Sequence, residues 1–166
     1  MKKLLLAFCA TAALFTLKAE DDILLETVFS DPTSFHTPAV AKNVTTFKNV
    51  KVYHTKSYPL LIIPVTDYDG KSPVTVKIRA ARDNSVAAKL GLICQVRNNA
   101  TKKMLYDNMQ IKNTTENFAD YTFKINPAKL LPGTKNFRLL IYTVAKKGNI
   151  YLEKVTVSVS VSVSGK

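Results

Sequence analysis

The chain has 166 residues, 24 of them Lys or Arg against 12 Asp or Glu, for a formal net charge of +12, with no Trp, two Cys, two His and five Gly. That length suits one domain with a single sizeable core. The sparse Cys and His exclude a disulfide framework or a Cys/His metal site, since His36 and His54 are isolated and only Cys94 lies outside the N-terminal apolar segment.

Lys2 and Lys3 precede an apolar run from Leu4 to Leu17, and Ala19 stands before the acidic Glu20, Asp21 and Asp22. This predicts a secretory signal peptide over residues 1–19, with cleavage after Ala19 and a secreted, periplasmic or cell-surface destination. The run is shorter than the ~20 residues of a membrane-spanning helix, and no second long apolar run follows, so no transmembrane anchor is expected. Cleavage removes Lys2, Lys3 and Lys18 and no acid, which lowers the net charge from +12 by three. Such a charge attracts anionic partners. The lysines are spread along the chain, with pairs only at Lys102–Lys103 and Lys146–Lys147, so a solvated surface is expected and no nucleic-acid partner.

The remaining residues, 20–166, read as one all-β domain. Runs rich in β-branched and aromatic residues recur every ten to fifteen positions, bounded by turn residues and without a convincing helical period, the pattern of a two-sheet antiparallel β-sandwich of about eight or nine strands. The expected strands are 23–29, 45–54, 58–65, 73–81, 91–97, 103–111, 119–125, 137–145 and a terminal strand from Ile150, with an irregular loop over 31–43. Asp69–Gly70, Asn98–Asn99 and Pro132–Gly133 supply the reversals.

Alternation assigns faces. Val74, Val76, Ile78 and Ala80 share one side of their strand, leaving Arg79 on the other; Leu92, Cys94 and Val96 share one side of theirs, leaving Gln95 and Arg97. Cys94 is thus expected to be a buried structural thiol. Tyr121, Phe123 and Ile125 share a core-facing side. In the last strand the parity changes between Leu152 and Val155, which predicts a β-bulge near Glu153 and Lys154. Beyond Val157 the Ser-Val alternation is longer than closure of a sheet requires.

The segments TENFADYTF (115–123), FRLLIYTV (137–144) and GNIYLEKVTV (148–157) resemble, in order and character, the galactose-binding-like jelly-roll domains that include carbohydrate-binding modules of secreted bacterial glycoside hydrolases. The resemblance covers roughly residues 72–157 and implies a jelly roll and a carbohydrate partner. The family often holds a structural Ca²⁺, with Glu26 and Glu153 as counterparts here. Lys154 stands where a second acid is usual, and calcium needs several oxygen ligands, so no metal or other cofactor is assigned.

Sugar sites pair an aromatic platform with amide and guanidinium donors. With Trp absent, Tyr must serve. If strands 73–81, 91–97, 103–111 and 137–145 share a sheet, Arg79, Gln95, Arg97, Tyr106 and Tyr142 form a ligand-binding patch. No nucleophile elbow, zinc-binding helix or phosphate loop is present. Asp67 and Asp69 sit in a turn, whereas a glycosidase pair must face each other across a cleft of roughly 5–9.5 Å. The expected protein is therefore not an enzyme but a secreted binding module for a carbohydrate or cell-surface glycan, and its basic charge favours acidic or sulfated chains. The alternative is an exported structural or adhesion subunit that binds another protein through the edge of its C-terminal strand.

Overall fold

The computed structural model describes residues 21–35, 38–56, 59–83, 87–144 and 149–160. The expected signal peptide, Tyr58 and residues 161–166 of the Ser-Val run lie outside them.

Two antiparallel sheets face each other. The first contains β2 (Val44–Phe47), β3 (Val50–Tyr53), β11 (Ile150–Ser160), β5 (Val74–Arg82) and β9 (Ala119–Ile125) in that order, with β1 (Asp21–Val28) also paired to β11. The second runs β4 (Leu61–Val65), β10 (Phe137–Val144), β6 (Lys89–Arg97) and β7 (Met104–Tyr106), and β8 (Gln110–Asn113) pairs with the other end of β6. The expected sandwich is therefore present.

Period-2 alternation builds the core. Val74, Val76, Ile78 and Ala80 of β5 are fully buried, and Ile63, Leu92, Cys94, Leu139 and Ile141 meet them from the second sheet. Tyr121, Phe123 and Ile125 fill the same space from β9. Removing a dozen or more such side chains from water, each worth about 1.5–3 kcal/mol, is what offsets the ordering of so many short strands.

The terminal strand carries the bulge that the parity change predicts. Its register against β5 shifts between Leu152 and Lys154, so Glu153 is the additional residue and Ile150, Leu152, Val155 and Val157 all face the core. The Ser-Val alternation as far as Ser160 is not a free edge. Val159 pairs with Val74 on one side and Asp22 on the other, and Ser160 pairs with Asp21. Through Ser160 this strand is an interior member of its sheet, because β1 covers the side that β5 does not.

Two expected strands are each split. Lys48 and Asn49 both adopt positive φ, 49° and 63°, and form the two-residue hairpin turn between β2 and β3. That hairpin packs over the outer side of the first sheet, where Phe47 stacks on Tyr151 with centroids 3.9 Å apart and planes 6° apart, and Phe118 meets Phe47 edge-on. Asp107 separates β7 from β8: its carboxylate accepts the Cys94 N–H at 2.6 Å and its own N–H donates to the Cys94 carbonyl.

Candidate functional site

The outer face of the second sheet holds four of the five residues singled out from the sequence. Arg138 of β10 lies opposite Gln95 of β6, which lies opposite Tyr106 of β7; Arg97 lies opposite Met104, and Tyr142 opposite Gly91. The Gln95 amide donates to the Tyr106 hydroxyl at 2.8 Å. Gln95 is 8 % exposed and Tyr106 54 %, so the buried amide holds the tip of an open ring.

Arg79 does not join them. Residues 73–81 were expected in the same sheet as 91–97, but β5 pairs with β11 and β9, which carries Arg79 to the outer face of the first sheet. There its Nε meets Glu153 at 2.9 Å and its Nη1 meets Asp120 at 3.4 Å. Glu26, the other acid matched to a calcium ligand by resemblance, meets the Lys154 ammonium at 2.8 Å. Each carboxylate is thus neutralised by a cation, and among the described residues no group of three or more His, Cys, Asp or Glu converges as a metal site would require.

Tyr142 belongs to the face but not to its open part. It is only 8 % exposed, as is Leu140, and neither belongs to the inter-sheet core. Opposite Tyr142, the position a Gly91 side chain would take is filled from 2.9 Å by Val144 and from 3.0 Å by the Met109 sulfur. The face accordingly divides into an apolar, covered end around Tyr142 and Gly91 and an open, polar end around Tyr106, Gln95, Arg97 and Arg138.

The open end leads into a groove of about 620 Å³ whose floor includes Pro64, Gln95, Arg97, Met104 and Arg138. Its walls are the 98–100 and 131–136 segments, and both are stiffened locally. Asn98 Oδ1 accepts the N–H groups of Ala100 and Thr101, each at 3.0 Å, an Asx-type turn. Across the groove, a one-turn helix α1 (Pro127–Leu130) starts at a proline, and the Thr134 hydroxyl donates to the Leu131 carbonyl at 2.7 Å.

The 66–72 loop supports this second wall from behind. The Tyr68 N–H donates to the Lys135 carbonyl at 3.1 Å, the Lys135 ammonium donates to the Asp69 carbonyl at 3.1 Å, and Tyr68, 1 % exposed, packs edge-on against Phe137. Burial pushes the Asp69 carboxyl up, but hydrogen bonds from Ser72 and Lys71 and the Lys135 charge outweigh it and hold the group below its ordinary value. Asp69 is therefore spent on turn structure, as its neighbour Gly70, at φ +82°, also is.

Sequence reasoning passed over Arg138, Pro64 and the groove walls. Arg138 was legible, since it shares the parity of Tyr142. The walls were not, because two loops far apart in sequence meet only through sheet order.

No family model matches the sequence, and no curated protein matches it. Among solved structures, the fold is similar to the CBM22-1 and GH10 modules of the Clostridium thermocellum N-terminal endo-1,4-beta-D-xylanase 10B in complex with xylohexaose, at TM-score 0.52 and 12 % identity over 89 % of this chain. This chain spans 30 % of that protein's resolved length. It is similar as well to the CBM22-1 xylan-binding domain of Paenibacillus barcinonensis, at TM-score 0.50 and 12 % identity, covering 88 % of this chain and 99 % of that one. A tandem CBM22-1–CBM22-2 structure from the same organism gives TM-score 0.51 and 14 % identity over 91 % of this chain and 49 % of that one. At such identities the likeness establishes the fold alone: this chain is a β-sandwich of the kind seen in carbohydrate-binding modules.

Proposed function

We propose that the protein is a non-catalytic module that captures a glycan chain on the outer face of its second sheet. One observation carries the reading: an exposed tyrosine, braced by a buried amide that lines a groove with hydrogen-bonded walls, lies on the same sheet face as the two guanidinium groups that line it. A ring face covers the apolar side of a sugar, and amide and guanidinium N–H groups satisfy its oxygens. The groove volume falls in the ordinary range for ligand sites, about 300–1,000 Å³. The fold shared with a xylan-binding domain supports the same ligand class. Capture on this surface needs no covalent step, no Asp or Glu lines the groove, and Asp69 and Asp107 are engaged with backbone N–H groups.

Export belongs to this reading. The Lys2–Lys3 pair, the apolar run and Ala19 support removal of residues 1–19 and action outside the cytoplasmic membrane, where polysaccharides are met. The mass of the protein recovered from outside the cell tests it: loss of residues 1–19 is expected, and an intact N-terminus contradicts it. The alternative of a protein-binding subunit relied on a free edge along the terminal strand, and pairing with β1 removes that edge through Ser160.

Affinity electrophoresis through gels containing xylan, galactan, glucan or polygalacturonate tests the capture. Retardation in at least one, abolished by Tyr106→Ala together with Arg138→Gln, is expected. Mobility unchanged in all of them would overturn the reading.

A further inference from the structure

The charges at the groove identify the kind of glycan. The sequence contains four arginines, at positions 79, 82, 97 and 138. On the first sheet's side Arg79 meets Glu153 and Asp120, and Arg82 meets Glu116 at 3.3 Å. Arg97 and Arg138 are exposed, and among the described residues neither has a carboxylate within ion-pair distance. The groove lining includes both of them and Lys135, with no Asp or Glu. Lys135 is already committed, its ammonium donating to the Asp69 carbonyl close to that residue's negative charge. Two uncompensated guanidinium groups therefore remain.

Their spacing follows from the register. Arg138 stands opposite Gln95, and Arg97 lies two residues further along β6 on the same face, so their backbone positions are diagonal neighbours at roughly 7–8 Å. Like charges so placed repel, and among the described residues no carboxylate offsets them. An anion received between them or on each of them does. A guanidinium presents forked N–H donors that match the two oxygens of a carboxylate.

We infer that the groove takes a polysaccharide bearing carboxylates, a chain containing uronic-acid sugars, with Arg97 and Arg138 each holding a carboxylate while Tyr106, braced by Gln95, covers a sugar ring. This rests on the glycan-capture reading and narrows it to one substrate class.

The test compares polygalacturonate with the same polymer after its carboxyls have been reduced to alcohols, by titration calorimetry on the full protein at low salt. Polygalacturonate is expected to bind about tenfold more tightly or better, the scale of two exposed charge-assisted contacts. The double variant Arg97→Gln/Arg138→Gln should lose more affinity for polygalacturonate than for the reduced polymer, so that the preference between the two falls to about twofold or less. Both side chains are exposed, so its melting temperature should match that of the wild type. Lys77→Gln/Lys124→Gln, which removes equal charge from the outer face of the first sheet, should leave both affinities unchanged.

Equal affinity for the two polymers overturns the inference while leaving glycan capture intact, and no binding of either polymer or of any neutral polysaccharide overturns both. An equal loss in the two double variants shows general charge attraction and also overturns the inference. So does tighter binding of a sulfated dextran than of polygalacturonate, which replaces the carboxylate by a different anion.

Discussion

Tyr106→Ala removes a ring that the protein holds open toward solvent. A tyrosine side chain offers roughly 150–250 Å² of surface when fully covered, and Tyr106 is 54 % exposed. About 100 Å² is therefore open, and a sugar laid on one side of the ring covers about 60 Å² of it. At ~25 cal/mol per Å² this contributes about 1.5 kcal/mol, or about tenfold in Kd. The fold should tolerate the change, because β7 is a three-residue strand at the edge of its sheet and its attachment through Asp107 remains. What is lost internally is the acceptor for the Gln95 amide at 2.8 Å, a cost of about 1 kcal/mol. Tyr106→Phe separates the two effects: it keeps the ring, so its affinity should stay within about threefold of wild type, while its stability falls as in Tyr106→Ala. Calorimetric titration with the polysaccharide that retards the protein in gels, paired with thermal melts, reads both quantities. Wild-type affinity in a folded Tyr106→Ala, or equal losses of affinity in the Phe and Ala variants, would refute the stacking role.

Thr27 is fully buried with a hydroxyl that has no hydrogen-bond partner among the described residues, so Thr27→Val should stabilise the protein by about 1 kcal/mol and raise its melting temperature by about 2–4 °C; a lower melting temperature would contradict this. Burial, aided by the Asp107 charge, pushes the Cys94 thiol up to about 12. The folded state then keeps its proton while an unfolded thiol loses it above about pH 8.5, so the stability advantage of wild type over Cys94→Ala should be constant below that pH and shrink by about 1.4 kcal/mol per unit above it, up to about pH 12. Urea unfolding of both proteins at pH 8 and 10.5 measures the difference, expected to narrow by about 2–3 kcal/mol. Gly70→Ala imposes a side chain at φ +82° and 3.0 Å from the Thr134 carbonyl; it should cost about 1–2 kcal/mol and weaken glycan binding through the displaced 131–136 wall, as seen in melts and gel retardation. A chain ended at Val157 loses the pairing of Ser158 with Ile23 and Thr75 and of Val159 with Asp22 and Val74, and denaturant titration should show a loss of about 3 kcal/mol or more.

Much of the sandwich was legible because alternation is a local signal. The parity change between Leu152 and Val155 placed the bulge near Glu153 and Lys154 without any knowledge of the partner strands, and the register shifts there, with Glu153 as the additional residue. The break at Lys48–Asn49 was read through, since TTFKNVKV has no Gly or Pro; the apolar parity changes between Phe47 and Val50, and the positive φ of Lys48 and Asn49 makes that change a turn. Arg79 shows the limit for the site. Parity correctly sends it outward, but which sheet it faces outward from depends on β5 pairing with β11, some seventy residues away. Tyr142 shows another: the residue is on the expected face, yet Met109 and Val144 close over the adjoining Gly91, a packing event that a strand pattern does not encode. The groove walls come from the loops 98–100 and 131–136, and their meeting is a consequence of β6 lying beside β10 rather than of anything within either loop.

The central claim, that the outer face of the second sheet receives the glycan, is tested most directly by backbone amide chemical-shift mapping during titration with an oligosaccharide of the polymer that binds. Progressive shifts concentrated at Gln95, Arg97, Tyr106 and Arg138 and in the 98–100 and 131–136 segments, with Lys77, Thr122 and Thr156 of the first sheet unmoved, are the predicted result. Shifts centred on the first sheet around Arg79, or spread evenly over both faces, would contradict it.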